Sequence, residues 1–272
     1  MKHALLFWLI CAAAMGAEFK DGIEYTRAGG ETLRLDASVP DGTGPFPIVI
    51  LVHGGGWGSG DRHGPVTVFT NALTAAHFAW FSIDYRLAPA YQWPACLEDV
   101  QAAIRWVKAH GAEFKGDTNR IALLGYSAGG HLVCQAVVLA DDATRVQAVV
   151  GCAAPTDHIA DSERRGGLSK SLQALLARPP ELEAGTRAVL RDMSPINYVK
   201  PGLPPFFLLQ GTADTSVPYA QSVNFRARLL QAGVPCEMIT LTNATHRIAQ
   251  WDHFDPEFAA QTVRWLQHVL GP

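Results

Sequence analysis

The amino-acid sequence predicts an α/β fold, with helices on both faces of a mostly parallel central sheet of about eight strands. Short apolar runs recur along the chain without polar alternation, which is typical of strands buried on both faces. Segments of helical periodicity separate these runs, and strand and helix in alternation indicate a parallel sheet. The predicted strands are residues 48–52, 79–83, 121–124, 146–150, 206–209 and 236–241.

The composition favours one domain and a small ligand. The chain has 272 residues, of which 48% are hydrophobic, enough for one sizeable core. We expect a single domain over residues 18–272. The formal charge is −3, with neither a basic stripe nor an acidic tail, and this gives no reason to expect nucleic acid or an anionic membrane as a partner.

The first 17 residues have the pattern of a secretory signal peptide. Lys2 and His3 precede an apolar run over residues 4–14, and small residues follow around Gly16 and Ala17. The run is shorter than the roughly 20 residues that span a bilayer. We therefore expect a secreted or periplasmic protein without stable membrane association after cleavage. A buried N-terminal helix is the alternative.

The remaining elements follow in chain order. The Gly29-Gly30 turn lies between two partly alternating runs and predicts an antiparallel hairpin. Apolar residues at helical spacing predict the helices 95–110, 127–140, 216–231 and 256–270. Residues 154–204 form a long irregular stretch with only short helical candidates. A stretch of this length in a compact domain is usually a binding or lid segment.

Cysteine and histidine spacing gives no sign of a metal or another cofactor. Cys96, Cys134, Cys152 and Cys236 lie in apolar surroundings without paired spacing, which favours buried free thiols. Because export permits disulfides, pairing remains the alternative. No recognised zinc or calcium ligand spacing occurs, so we expect no metal and no cofactor.

The stretch around Ser127 carries the strongest chemical signal. Gly125, Ser127 and Gly129 form the pattern G-x-S-x-G after a buried strand and before a helix. In this nucleophile elbow the serine lies on a sharp, strained turn, and the small neighbours avoid collisions across it. The alternative is that Ser127 only caps the helix.

Three further positions complete a predicted catalytic constellation. The strand 48–52 ends in the glycine run of residues 53–57, whose backbone N–H groups could approach a substrate oxygen; a flexible linker is the alternative. The triad acid and base should follow the serine in that order. Asp214 and His246 fit, each after a later strand, with Asp157 and His253 as competitors.

The motifs together resemble the α/β-hydrolase esterases. The similarity is closest to the branch named for bifunctional feruloyl and acetyl-xylan esterases, which borders the hormone-sensitive-lipase group, and it covers about residue 24 to the C-terminus. The motifs that carry it are HGGGW at 53–57, DYRLAP at 84–89, GYSAGGHL at 125–132, SPINYV at 194–199, GTADTSVP at 211–218 and TH at 245–246.

This resemblance implies roles for individual residues. Ser127 would be the nucleophile, Asp214 the triad acid and His246 the base. The oxyanion hole would be formed by the backbone N–H groups of Gly55, Gly56 and Ala128, with Gly54 as an alternative if the loop register differs. One departure is that Arg247 and Ile248 follow the histidine, where relatives often carry glycine and an aromatic residue.

Several other residues, most of them in these motifs, admit a functional or a structural interpretation. We expect residues 84–86 to hold the loop after their strand and His53 to orient the glycine run. His131, one helical turn after Ser127, is expected to pack behind the elbow. Trp57 is a candidate platform for a sugar or aryl group, with core packing as an equal alternative; Trp93 and Trp251 are similar.

The sequence thus predicts a serine esterase that forms an acyl-enzyme. Short acyl groups are expected because the segment 154–204 contains few large apolar residues. The substrate would be a small-molecule or oligosaccharide ester, for example acetylated or feruloylated plant polysaccharide. The alternatives are an arylformamidase, another amidase or a peptidase of this fold, and a catalytically silent binding protein.

Overall fold

The computed structural model describes residues 17–271, so the predicted signal peptide lies outside the described residues except for Ala17. These residues form one eight-stranded sheet. Its strands are β1 (Glu18–Ala28), β2 (Glu31–Val39), β3 (Phe46–Val52), β4 (Ala79–Ile83), β5 (Gly116–Tyr126), β6 (Ala148–Cys152), β7 (Phe206–Gly211) and β8 (Cys236–Leu241).

The strand order is β1-β2-β4-β3-β5-β6-β7-β8. β1 and β2 form the predicted hairpin, and β2 pairs antiparallel with β4. From β4 to β8 every pairing is parallel. The predicted fold class is confirmed: the sheet is mostly parallel, and its parallel strands end at one edge.

Helices cover both faces of the sheet. They are α1 (Thr70–Ala75), α2 (Ala95–His110), α3 (Ala128–Val138), α4 (His158–Arg165), α5 (Lys170–Leu176), α6 (Ala184–Asp192), α7 (Tyr219–Gln231) and α8 (Phe258–Leu270). Four short 3-10 helices add Pro65–Phe69, Gly111–Phe114, Pro195–Tyr198 and Ile248–His253.

Strand β3 shows why the apolar runs lack alternation. Ile48 and Ile50 pack into the core beneath α2, α3 and α7, whereas Val49 and Leu51 pack into the core beneath α1 and α8. All four side chains are fully buried. Both faces of the strand therefore require apolar residues, so the apolar run is unbroken and does not alternate with polar residues.

The chain between β6 and β7 is more regular than the sequence predicts. It contains α4, α5 and α6, of eight, seven and nine residues. Asp157 and Ser169 cap α4 and α5, accepting hydrogen bonds from Ala160 N and Leu172 N. Helices this short have little periodicity to detect, and such caps contribute to defining them.

Three helices begin later than predicted. α3 covers Ala128–Val138 rather than residues 127–140, because Ser127 is its N-cap. α7 starts at Tyr219 rather than at residue 216, because the Asp214 carboxylate accepts hydrogen bonds from the backbone N–H groups of Ser216 and Val217 and holds them in a turn. α8 starts at Phe258 rather than at residue 256. The helix predicted over residues 95–110 is α2, with the same bounds.

The four cysteines of the described residues are buried free thiols, as predicted. Burial raises the pKa of Cys96 and of Cys236 to about 12, which suppresses their thiolate forms. Within residues 17–271, no group of three or more acidic, histidine or cysteine side chains is arranged to hold a metal ion. The same residues contain no helix with the length and apolar character of a membrane span.

Candidate active site

The strand register brings the predicted site residues to one edge of the sheet. Val52 at the end of β3 pairs with Gly125 near the end of β5, so the glycine run and Ser127 begin side by side. Gly211 at the end of β7 pairs with Leu241 at the end of β8. The loops that carry Asp214 and His246 therefore leave the sheet together. Ligands of open α/β sheets bind at this carboxyl edge.

Ser127, His246 and Asp214 form a continuous chain of hydrogen bonds. Ser127 Oγ lies 2.9 Å from His246 Nε2, and His246 Nδ1 lies 2.7 Å from Asp214 Oδ2. The Asp214 side chain is 0% exposed and that of His246 is 22% exposed. A carboxylate can only accept, so Nδ1 carries the proton and Nε2 is free to accept the serine proton.

The backbone at Ser127 is strained in the manner of a nucleophile elbow. Its φ and ψ are 54° and −117°, outside the regions that non-glycine residues prefer. A Cβ atom at Gly125 would lie 2.2 Å from the carbonyl oxygen of Gly129, and one at Gly129 would lie 2.1 Å from that of Val52. The start of α3 therefore rests directly on the end of β3, and only glycine fits at these two contacts.

Asp214 is held by donors on both carboxylate oxygens. Oδ1 accepts from Ser216 N at 2.9 Å and from Val217 N at 2.8 Å. Oδ2 accepts from Gln210 Nε2 at 2.9 Å as well as from the histidine. These bonds fix the carboxylate, and through it the orientation of the His246 ring.

The glycine run adopts backbone angles that favour glycine. Gly55 and Gly56 have φ of +119° and +60°. The N–H groups of Gly55, Gly56 and Ala128 donate no hydrogen bond to other described residues. Ala128 is the first residue of α3, so its N–H belongs to the free first turn of a helix. These three N–H groups thus lack a partner within residues 17–271, as the donors of an oxyanion hole must.

His53 lies beneath the glycine run. Its Nδ1 contacts the Gly54 carbonyl oxygen at 2.6 Å, and its ring stacks on Tyr85 with centroids 4.2 Å apart. Tyr85 Oη donates to the His53 carbonyl oxygen. Burial lowers the pKa of His53, so the imidazole is held neutral. These contacts orient the loop. The carbonyl oxygen of Gly54 is bonded to His53, and Gly54 itself packs against Tyr126.

The DYRLAP motif also ties loops together. Asp84 accepts from the backbone N and from the guanidinium of Arg62. The same guanidinium bonds Asp36 of β2. Arg86 bonds the buried carboxylate of Asp99 on α2. These contacts secure the segments that flank the site and reach no atom of Ser127 or His246.

A cavity of about 290 Å³ opens beside Ser127 and His246. One part of its wall is the glycine run and elbow, and the other comes from α4, α5 and the loop before α7. Half of the lining residues outside the triad have polar side chains, and these lie on α4, at the start of α5 and in the loop before α7. The lining includes Gly56, Trp57, Ala128, His158, Asp161, Arg165, Ser169, Ser171, Leu172, Ser216 and Val217.

The competing acid and base lie elsewhere. The Asp157 carboxylate caps α4 through Ala160 N. His253 is 75% exposed at the end of a 3-10 helix, with Asp252 as its nearest carboxylate. Neither contacts Ser127, so among these candidates the structure brings together Ser127, Asp214 and His246.

The three candidate tryptophans are placed differently. Trp57 is 6% exposed and lines the cavity, with its indole Nε1 hydrogen-bonded to His131. Trp93 is half-buried, its ring 5.5 Å from that of His131. Trp251 is fully buried and donates from Nε1 to the carbonyl oxygen of Thr245, next to His246.

Several site residues carried no sequence signal. Gln210 on β7 donates to Asp214, and Tyr126 donates to the carbonyl oxygen of His246. Arg165 of α4 donates to the carbonyl oxygen of Ser216, beside the Asp214 loop. Each contact joins residues brought together by the fold, and only the position of Tyr126 next to Ser127 could have suggested a role.

The fold and this hydrogen-bond chain define an α/β-hydrolase with a Ser–His–Asp site. The family model described as BD-FAE matches residues 35–229. The chain belongs to the BD-FAE family, the branch that its motifs resemble.

A curated relative supports the esterase family, and solved structures support the fold. Esterase LipC of Mycobacterium tuberculosis is 35% identical over 204 residues, which are 69% of this chain and 49% of LipC. A truncated carbohydrate esterase from gut microbiota has a TM-score of 0.82 at 22% identity and covers 96% of this chain and 99% of its own. A bifunctional GH43-CE protein of Bacteroides eggerthii has a TM-score of 0.80 at 26% identity, and the match covers 93% of this chain and 38% of that protein. The chain spans about half the length of curated relatives such as LipC.

Proposed function

We propose that this protein is a serine carboxylic-ester hydrolase that transfers a short acyl group from an ester to water. The observation that carries the proposal is the chain Ser127 Oγ–His246 Nε2 and His246 Nδ1–Asp214 Oδ2, at 2.9 and 2.7 Å. Homologues named esterase support the reaction class.

The reaction has two steps. His246 takes the Ser127 proton as the oxygen attacks the ester carbonyl, then donates it to the leaving alcohol. Asp214 holds the Nδ1–H tautomer and stabilises the imidazolium. The N–H groups of Gly55, Gly56 and Ala128 receive the oxyanion. In such a site one donor is worth roughly 10² to 10³ in kcat. Water then cleaves the acyl-enzyme by the same route.

The cavity supports a short acyl group and a polar, hydroxylated alcohol. Its volume of about 290 Å³ is small for a long lipid chain. Ser169, Ser171 and Ser216 offer hydroxyl groups along its wall, with Asp161 and Arg165 beside them. Esters on plant polysaccharide, such as acetyl groups of xylan, match this chemistry. The GH43-CE description of the relative that is 26% identical points the same way.

The first test is kcat/KM on para-nitrophenyl esters from acetate to dodecanoate, with acetate release from acetylated xylan measured beside it. Acetate and butyrate esters should be the best substrates, and Ser127→Ala should abolish turnover. A preference for long chains would overturn the short-acyl assignment. Formanilide and aminoacyl anilides are included as amide substrates, and faster cleavage of these would make the protein an amidase.

A fluorophosphonate probe separates an enzyme from a silent binding protein. The wild type should be labelled covalently, and Ser127→Ala should not. Ser171→Ala removes a different hydroxyl from the wall of the same cavity and should keep the label. An unlabelled wild type that is folded would overturn the proposed enzymatic function.

We also propose that residues 1–17 direct export to the periplasm or the medium. Expression of the full chain, followed by N-terminal sequencing of the exported product, tests this. A mature N-terminus near residue 17 or 18 is expected. An uncleaved product confined to the cytoplasm would contradict it.

A further inference from the structure

The buried side chain of His131 makes a hydrogen bond at each ring nitrogen. Trp57 Nε1–H donates to His131 Nδ1 at 3.2 Å, and His131 Nε2 lies 2.7 Å from the carbonyl oxygen of Met193. An indole N–H only donates and a carbonyl only accepts, so Nε2 carries the proton. The tautomer of His131 is fixed from both sides.

These bonds join three segments of the site. Trp57 directly follows Gly56 of the glycine run. His131 lies one turn after Ser127 and donates its backbone N–H to the Ser127 carbonyl oxygen at 2.9 Å. Met193 follows α6, at the end of the helices inserted between β6 and β7. One imidazole thus connects the two halves of the proposed oxyanion hole.

The glycine run needs such a connection. Gly55, Gly56 and Trp57 are three consecutive residues with positive φ, and the last, with a φ of 59°, has a bulky side chain. Positive φ is unfavourable for a residue other than glycine, so the surrounding contacts must stabilise Trp57 in this conformation. Ala88 N donates a hydrogen bond to the Trp57 carbonyl oxygen at 2.9 Å. The Trp57 ring contacts the His131 ring edge-on, with centroids 5.5 Å apart.

His131 is suited to be a permanent acceptor. It is fully buried, and burial lowers its pKa to about 4. The neutral ring keeps the Nδ1 lone pair at neutral pH. The His158 ring, 4.5 Å away, is also buried, and burial lowers its pKa as well.

We propose that His131 is a positioning residue that sets the distance between the glycine run and the nucleophile elbow through its bond to Trp57. The inference rests on the proposed esterase function, because it concerns the oxyanion hole of that reaction. Loss of the Trp57–His131 hydrogen bond should lower kcat while leaving KM little changed, since oxyanion contacts form mainly in the transition state.

Two substitutions at His131 separate its two hydrogen bonds. In His131→Asn the side-chain oxygen takes the place of Nδ1 and can still accept from Trp57, whereas in His131→Gln the amide nitrogen takes the place of Nε2 and can still donate to Met193. We expect His131→Gln to lose at least about 10-fold in kcat, because a misplacement near 1 Å costs roughly 100-fold. His131→Asn should retain most of the rate.

Trp57→Phe removes the donor and keeps a ring, and it should lose kcat as His131→Gln does. The double variant should be little worse than either single one, because both remove the same bond. Trp93→Phe is the matched control: its ring also packs on His131, but it neither bonds this histidine nor lines the cavity. This control should keep its kcat.

The second-order rate of fluorophosphonate labelling provides a readout besides ester turnover, since the probe's phosphoryl oxygen occupies the same hole. Slower labelling of His131→Gln than of His131→Asn, with unchanged thermal unfolding, supports the inference. Equal labelling and kcat in both folded variants would overturn it while leaving the esterase function intact. A wild type that neither labels nor hydrolyses esters would overturn both.

Discussion

The Tyr126 hydroxyl donates a hydrogen bond to the backbone carbonyl oxygen of His246 across 2.5 Å. The residue before the nucleophile thus holds the segment that carries the base, although 120 positions separate the two in sequence. Their rings also lie 5.3 Å apart. The spacing between Ser127 and His246 therefore depends on a side chain that takes no part in proton transfer.

Tyr126→Phe should lower kcat/KM by about five-fold, because one hydrogen bond is worth roughly 1 kcal/mol and the ring packing remains. Initial rates on para-nitrophenyl acetate measure the effect. Tyr219→Phe, whose hydroxyl contacts Thr240 at the surface, is the control and should match the wild type. An unchanged rate for Tyr126→Phe would show that the loop needs no such support.

Asp214→Asn should reduce kcat by roughly 10⁴-fold, because an amide no longer fixes the Nδ1–H tautomer or stabilises the imidazolium. Its side-chain oxygen can still accept from Ser216 N and Val217 N, so the loop should keep its shape. Asp157→Asn, at the cap of α4, is the matched control and should stay within about two-fold of wild-type kcat. If Asp157→Asn were the inactive variant, the assignment of the acid would be wrong.

Gly129→Ala should destabilise the fold by more than roughly 4 kcal/mol, since the added Cβ would lie 2.1 Å from the carbonyl oxygen of Val52. Urea unfolding followed by circular dichroism measures this. Gly202→Ala is the control: its φ is +82° but nothing lies within 4 Å, so only backbone strain of about 1–2 kcal/mol is expected. Equal losses in the two variants would contradict a steric role for Gly129.

Arg165→Gln should lower kcat/KM by roughly 10-fold, because the substitution removes a charge-assisted hydrogen bond and such a bond is worth about this factor. Arg165 bonds Asp161 and the carbonyl oxygen of Ser216, whose N–H bonds Asp214. Arg164→Gln is the matched control, because Arg164 also bonds Asp161 but is 48% exposed and does not reach Ser216. Similar kinetics in the two variants would argue against a link from α4 to the triad.

Stability should fall between pH 6.5 and about 4. Burial lowers the pKa of His131 to about 4 and that of His158 below its usual range, whereas both titrate near 6.5 in the unfolded chain. In this window the unfolded state binds more protons than the folded state. The contribution of the two neutral histidines to the free energy of unfolding is therefore fully present above pH 6.5 and is lost as the pH falls toward 4. The loss from His131 is on the order of 3 kcal/mol.

Urea midpoints at pH 7.5, 6 and 5 measure this linkage. His131→Gln should show a shallower decline than the wild type, and His268→Gln, at an exposed position on α8, should follow the wild type. A wild-type midpoint independent of pH across this range would show that the two buried rings do not control acid stability.

Local sequence patterns predicted which helices and strands form better than they predicted the residues at which these begin and end. The bounds of α2 follow from its apolar spacing between Pro94 and Gly111. The start of α7 does not, because the turn at residues 216 and 217 is made by the Asp214 side chain. The choice between Asp214 and Asp157 likewise depended on where each carboxylate finds its donors.

The sequence by itself determined the alternation of buried strands and helices, the G-x-S-x-G turn, the glycine run, and an acid and a histidine after the serine. These are local properties of composition and spacing. The tertiary structure alone decided that β3 lies beside β5, that Trp57 bonds His131 74 positions away, and that Arg165 reaches Ser216. Such contacts depend on how the helices pack across the sheet, and sequence periodicity carries no information about distances between elements.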